Sequence, residues 1–223
     1  MDLKQNKEEI FKRIQSSCLV AGRNEDSVSV IAVTKYVDND IAGQLINTGI
    51  KHIGENRVDK FLDKYEALKD KELIWHLIGT LQRRKVKDVI NKVDYFHALD
   101  SVSLAQEIQK RADHPIKCFL QVNISEEESK HGFKMNEIEE ALDQIEGLDK
   151  LQIVGLMTMA PLNANQETIA NIFGKTNQLR EALQAQNRKN MPFSELSMGM
   201  SNDFDLAIQN GTSFVRIGTS FFK

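Results

Sequence analysis

Apolar residues in this chain switch repeatedly between helical spacing and short unbroken runs. Leu3, Ile10, Ile14 and Cys18 fall at the spacing of one helix face, and Ala21-Gly22 can end that helix. The β-branched run from Val28 to Val33 predicts a buried strand. A helix follows, with Asp38 or Asn39 as its cap, Ile41, Leu45 and Ile46 inward, and a stop near Gly49. Strand-like segments recur at His52 to Gly54, Leu73 to Gly79, Tyr95 to Leu99, Ile116 to Asn123, Leu151 to Met157, Leu196 to Met198 and Phe214 to Gly218. The stretches between them read as helices. One carries Val58, Phe61, Leu62, Tyr65 and Leu68, and a basic one turns Val86, Val89 and Ile90 inward. Two more open with capping-box spacing, at Ser103 to Gln106 and at Asn136 to Glu139. A longer helix runs from about Glu167 to Gln186, and a short one from Asp203 to Asn210.

Eight strands alternating with helices predict an α/β protein, a single (β/α)8 TIM-type barrel over residues 1–223. The extra N-terminal helix would cover the barrel bottom or side. A doubly wound open sheet is the rival architecture. It usually has fewer strands, and its Gly-x-Gly-x-x-Gly fingerprint is absent.

Composition narrows the class. Hydrophobic residues make up 41% and charged residues 27%, as in ordinary globular proteins. The net charge of −3 argues against a general nucleic-acid binder, which would carry a basic excess. No apolar run reaches the ~20 residues of a membrane helix, and the polar N-terminus has no signal-peptide core, so a cytoplasmic protein is expected. Cys18 and Cys118 stand a hundred residues apart, with no disulfide framework or metal spacing, and read as reduced, partly buried thiols. The histidines form no His-Glu-x-x-His pattern, and no metal is expected.

Function in such a barrel gathers at the C-terminal ends of the strands. Those ends carry Thr34-Lys35, Gly54-Glu55-Asn56, His76 with Gly79, Asn123, Met157, Gly199-Met200-Ser201-Asn202, and Arg216 with Gly218-Thr219. A lysine closing an apolar strand either snorkels to solvent or, withdrawn from water, attacks a carbonyl to form a Schiff base. The loops after strands seven and eight hold glycines and hydroxyls where barrels of this kind bind phosphate. They are also compatible with ordinary turns. Together, opposite a strand-end lysine, they suggest a phosphorylated carbonyl compound. Arg216 and Gly218 share one face of their strand, so Arg216 points into the barrel, either in an ion pair or as a donor to a ring nitrogen.

Ile31-Ala32-Val33-Thr34-Lys35, Gly54-Glu55-Asn56, Trp75 to Gln82, Gln121-Val122-Asn123, Ser125 to Gly132, Gly155 to Met159, Leu196 to Ser201 and Phe214 to Thr219 occur in that order. This ordered set resembles the pyridoxal phosphate homeostasis protein family, whose domain is similar to the barrel of alanine racemase. The resemblance implies pyridoxal 5′-phosphate held by Lys35 as a Schiff base. It gives Ser201, Gly218 and Thr219 the phosphate and Arg216 the pyridine nitrogen. Asn56 would line the cofactor, with His76 and Met157 in the same wall. Arg83-Arg84-Lys85 follows Leu81-Gln82 where the family often has Asn-Lys, so position 84 receives no role. Glu126, Glu127, Glu128 and Lys130 read either as a solvated loop or as a family loop over the cofactor mouth.

Three functions remain open at this point: a carrier in vitamin B6 homeostasis that passes cofactor to apo-enzymes, an amino-acid racemase, and a class I aldolase using Lys35 without cofactor. An arginine at the ring nitrogen leaves that nitrogen unprotonated and the ring a poor electron sink. A two-base racemase needs an acid/base on each face of its substrate. In alanine racemase, the resemblance places the second base in an appended β domain, for which this chain leaves no residues. Tyr36 would point away from Lys35 if the strand continued. The carrier is therefore favoured, with no catalytic residue assigned and a monomer expected.

Overall fold

The computed structural model describes residues 1–125 and 131–223. Eight parallel strands close into a barrel: β1 (Ser29–Val33), β2 (His52–Glu55), β3 (Ile74–Leu77), β4 (Tyr95–Leu99), β5 (Ile116–Gln121), β6 (Leu151–Met157), β7 (Glu195–Met200) and β8 (Phe214–Ile217). Each strand pairs with the next, and β8 returns to β1 with Ser29 opposite Phe214 and Ala32 opposite Ile217. That last pairing excludes the open doubly wound sheet and leaves no strand edge exposed.

Among the described residues the helices are α1 (Leu3–Val20), α2 (Asn39–Asn47), α3 (Val58–Leu68), α4 (Val86–Val89), α5 (Val102–Arg111), α6 (Ile138–Ile145), α7 (Gln166–Ala185) and α8 (Phe204–Gln209). Among the described residues β8 is followed by a single 3-10 turn, Thr219–Phe221. The N-terminal helix therefore supplies the missing layer. Ile10, Ile14 and Cys18 of α1 pack with Val30, Ala32, Val215, Ile217, Phe204 and Phe221, and Asn6 Nδ2 donates to the Phe221 carbonyl at 2.9 Å. It covers the barrel's side, over β1 and β8, and not its bottom. No helix among the described residues is long and apolar enough to cross a membrane.

Local chemistry sets most boundaries. Asp38 caps α2 through Ile41 N, at 2.9 Å. The start of α5 lies earlier than the Ser103 spacing suggested, because Ser101 Oγ accepts from Leu104 N. The start of α6 is likewise displaced from Asn136: a 3-10 turn, Met135–Glu137, precedes it, and Lys134 N donates to Glu137 Oε2. The predicted basic helix is only one turn long, flanked by 3-10 turns at Arg83–Lys85 and Ile90–Lys92. Strand β3 ends at Leu77, short of Gly79, because the chain has by then swung against the loop after β2. A Cβ at Gly79 would lie 2.0 Å from the Asn56 carbonyl oxygen.

Barrels of this kind are usually filled by branched aliphatic residues. Rings fill much of this one. His52 of β2, His76 of β3, Tyr95 and His97 of β4, Phe119 of β5 and Phe214 of β8 touch one another, with His97 and Phe119 stacked at 4.5 Å and His76 and Tyr95 at 4.8 Å. Such pairs add to the burial of their large surfaces. Cys18 and Cys118 are both buried, and burial pushes both thiols upward, which disfavours the thiolate form.

Among the described glycines the least room for a side chain is at Gly155, where a Cβ would meet the Glu195 carbonyl oxygen at 1.7 Å. Gly155→Ala must push β6 from β7 and is expected to cost at least about 2 kcal/mol in urea denaturation. Gly147→Ala, where a Cβ meets nothing within 4 Å, should leave the midpoint unchanged or raise it. Equal midpoints for the two variants would contradict this packing.

Candidate functional site

The loop that carries Lys35 begins where β1 ends. Thr34 N still bonds the Gly54 carbonyl, and Val37 N then closes onto the Thr34 carbonyl at 3.1 Å, so Thr34 to Val37 form a tight turn. Lys35 is half-buried and Tyr36 exposed. The Lys35 Nζ sits 4.8 Å from the centre of the Tyr36 ring. Tyr36 therefore does not point away from Lys35; side chains alternate only in an extended chain, and the chain has already turned.

Both ends of that turn are pinned from behind. Glu55, the last residue of β2, is fully buried. Its Oε1 accepts from Thr34 Oγ1 at 2.6 Å and pairs with Lys64 Nζ at 3.0 Å. Lys64, buried on α3, also donates to the Val37 carbonyl at 2.8 Å. Glu55 Oε2 is buried without a hydrogen-bond partner among the described residues. Sequence reading missed this clamp. A signal existed: Lys64 falls at helical spacing between Phe61 and Leu68, inside the apolar stripe of α3.

Arg216 projects into the barrel from β8 and is 5% exposed. Its NH1 donates to Ser197 Oγ at 2.6 Å and its NH2 to the Thr158 carbonyl at 3.0 Å. Among the described residues it makes no ion pair. Asp203 favours its charge through space, while its Oδ1 accepts from Met200 N. Burial pushes the guanidinium down to about 10, which leaves it charged near neutrality. A buried cation held only by neutral groups has capacity for a further acceptor.

His76 does not stand in the wall of the mouth. It is fully buried, opposite Gly54 in register, with both ring nitrogens taken: Nε2 by His52 Nδ1 at 2.9 Å and Nδ1 by His97 Nε2 at 2.8 Å. It is an interior residue although it stands one position before the end of β3, because its side chain is turned inward and covered completely. Burial first, then the neighbouring imidazoles, holds His76 well below the usual histidine range; burial, then Arg216 and His52, does the same to His97.

The remaining predicted residues lie around the mouth. Ser201 and Thr219 are brought together from the two loops, with Thr219 Oγ1 donating to Ser201 Oγ at 3.4 Å. Gly218 starts the Thr219–Phe221 turn, where the first amides have no acceptor within the turn. A Cβ at Gly218 would approach the Val33 carbonyl at 3.3 Å. Asn56 follows Glu55 directly. Met157, at the end of β6, lines a cavity of about 210 Å3 with Gly79, Gln121, Asn123, His131 and Thr158. A larger cavity, about 850 Å3, lies aside from these groups, between Ile124, Ser125 and the flank of α7. Glu126, Glu127, Glu128 and Lys130 lie outside the described residues. The described residues before and after them meet just past β5, where Asn123 N bonds the Phe133 carbonyl and Phe133 N the Gln121 carbonyl. Gly132 permits this return with φ of 116°.

Known proteins bear on this arrangement. A family model described as "Alanine racemase, N-terminal domain" matches residues 23–223. A pyridoxal phosphate homeostasis protein of Aquifex aeolicus is 41% identical over 216 residues, covering 96% of this chain and 94% of the relative. Another, of Escherichia coli K12, is 30% identical over 227 residues and covers 99% and 96%. PipY of Synechococcus elongatus, solved with PLP bound, superposes with a TM-score of 0.85 at 32% identity, over 96% of this chain and all of that one. Alanine racemase of Corynebacterium glutamicum shares the fold at 13% identity, with a TM-score of 0.68 over 60% of its chain.

Two measurements check this geometry. Lys64→Met strands a buried carboxylate and is expected to lower stability by about 3–5 kcal/mol, while the double replacement Glu55→Leu with Lys64→Met recovers most of it; additive losses would contradict the pairing. Below about pH 6.5 an unfolded histidine takes up a proton that folded His76 and His97 refuse. Stability should thus be full above that pH and decline as pH falls below it. Urea midpoints that stay flat between about pH 7 and about pH 5.5 would overturn this.

Proposed function

The chain belongs to the pyridoxal phosphate homeostasis protein family, and on that premise we propose that it binds pyridoxal 5′-phosphate at the barrel mouth as a Schiff base on Lys35, and serves as a carrier rather than an enzyme. One observation carries the reading: Arg216 is a buried guanidinium with only neutral partners among the described residues, one of them the carbonyl of Thr158, a residue that lines the cavity beside Met157.

Pyridoxal phosphate brings an aldehyde that an amine can condense with and a ring that draws electrons from what is attached to it. Lys35 Nζ would be the amine that holds the aldehyde. The clamp of Glu55 and Lys64 keeps the Lys35 turn in one place, so the amine is presented with little ordering left to do. Ser201, Thr219 and the glycine turn at Gly218 hold the phosphate through hydroxyls and backbone amides. Asn56 and Met157 line the ring. Arg216 donates to the ring nitrogen and, with its proton retained, cannot take one from it or give one up.

That last property favours holding over turnover. A ring nitrogen that accepts a hydrogen bond without a proton stabilises negative charge poorly. A racemase also needs acid/base groups on opposite faces. Tyr36 shares the Lys35 turn and packs on the same amine, so the two supply one side only. A half-buried lysine on a surface turn lets the cofactor leave again, and delivery to apo-forms of pyridoxal phosphate enzymes follows as the use of such a store.

Mixing the protein with pyridoxal phosphate is expected to give a visible absorbance band, and borohydride followed by peptide mapping should place the reduced adduct on Lys35. Lys35→Ala should abolish the band, and Arg216→Gln should weaken binding about tenfold or more while the adduct stays on Lys35. An adduct on another lysine would sink the reading. Racemisation at enzyme-like rates would move the protein to the enzyme class.

A further inference from the structure

A line of hydrogen bonds crosses the barrel interior. It begins at His52, the first residue of β2 and thus at the end of the barrel opposite the strand-end site. His52 Nδ1 meets His76 Nε2 at 2.9 Å, His76 Nδ1 meets His97 Nε2 at 2.8 Å, and His97 Nδ1 meets Ser197 Oγ at 2.8 Å. Arg216 NH1 donates to the same Ser197 oxygen at 2.6 Å. His76, His97 and Ser197 are fully buried, and His52 is partly so.

The proton positions follow from counting donors and acceptors. Arginine only donates, so Ser197 Oγ is an acceptor toward Arg216. Ser197 has one hydrogen and, among the described residues, one other partner, His97 Nδ1. If His97 donated, the serine hydrogen would be buried without an acceptor, which is costly. The hydroxyl therefore donates to His97 Nδ1. A neutral imidazole with an accepting Nδ1 carries its proton on Nε2. His97 Nε2 then donates to His76 Nδ1, and His76 Nε2 donates to His52 Nδ1. All three rings take the same tautomer, and the direction is imposed from Arg216.

We propose that His52, His76 and His97 are positioning residues for Arg216, forming one hydrogen-bond chain whose direction is set at the mouth and which stays intact only while His52 is neutral. A protonated His52 carries a hydrogen on Nδ1 and can no longer accept from His76. His76 must then lose its partner or move its proton to Nδ1. That shift drives His97 to donate to Ser197, which then faces two donors with its own hydrogen unplaced. The hold on Arg216 weakens as a result. The charged group that bears on His52 is Asp94, which favours its protonation; His76 and His97 are the titratable rings beside it, and a charge on His52 would lower their proton affinity further. Its other close ring is Phe214, and its register neighbour on β1 is Ile31, neither of which titrates. Burial lowers the His52 proton affinity overall. The chain is therefore intact at neutral pH and breaks as pH falls below the ordinary histidine range.

The proton pattern stands on the geometry alone; its effect on binding rests on the ring-nitrogen role proposed for Arg216. Histidine nitrogen NMR on the full, ligand-free chain near pH 7 is expected to show His52, His76 and His97 neutral, with the proton on Nε2 in each. A proton on Nδ1 of His97, or mixed tautomers along the line, would overturn the chain. Pyridoxal phosphate binding should weaken about tenfold in the unaltered protein between about pH 7.5 and about pH 5.5, beyond what His52→Gln shows over the same range, because a glutamine carbonyl still accepts from His76 and does not titrate. Parallel profiles for the two proteins would refute the coupling. Should neither protein take up the cofactor, the reading of the mouth fails, and the NMR pattern alone decides the chain.

Discussion

The buried pair between Glu55 and Lys64 is the constraint on which the candidate site depends. Two charges removed from water are costly, and they persist only where their geometry and hydrogen bonds compensate. Here the lysine belongs to a helix of the outer layer and the carboxylate to a barrel strand, so the pair joins the two layers. It also reaches past both to the turn after β1, through the Thr34 hydroxyl and the Val37 carbonyl. The turn that presents Lys35 is thus held by strand, helix and its own backbone together.

The inside of the barrel obeys a second economy of charge. Arg216 is the cation there, and the groups that meet it are a hydroxyl and a carbonyl. The imidazoles beyond the hydroxyl stay neutral because burial opposes their protonation; the guanidinium adds to that opposition at His97, and the neighbouring imidazoles add to it at His76. A low-dielectric interior strengthens hydrogen bonds that are complete and penalises those that are not. The ring-filled interior and the single-direction chain are two results of the same condition.

Membership in the pyridoxal phosphate homeostasis protein family is the premise of the carrier reading proposed above. The shared barrel with alanine racemase does not by itself carry the racemase reaction, since function resides in site groups and not in the fold. What separates the two readings here is the supply of acid/base groups around Lys35 and the fixed proton of Arg216.

Much of the architecture was legible from the order of residues. Periodicity alone announced eight strands and their helices, because a one-sided apolar pattern has few other ways to be buried. Strand-end position picked out Lys35, Asn56, Ser201, Gly218 and Thr219, and parity put Arg216 inside. Besides the Glu55–Lys64 clamp, three things escaped it. The N-terminal helix completes the outer ring over β1 and β8, which only barrel closure decides. Tyr36 lies against Lys35 because a turn cancels alternation. His76 is an interior link because His52, His97 and Ser197 come from strands up to 145 residues apart in the chain and meet only across the closed barrel. Local pattern determines which way each short segment faces; partners so distant in sequence are chosen by the closed sheet that brings their faces together.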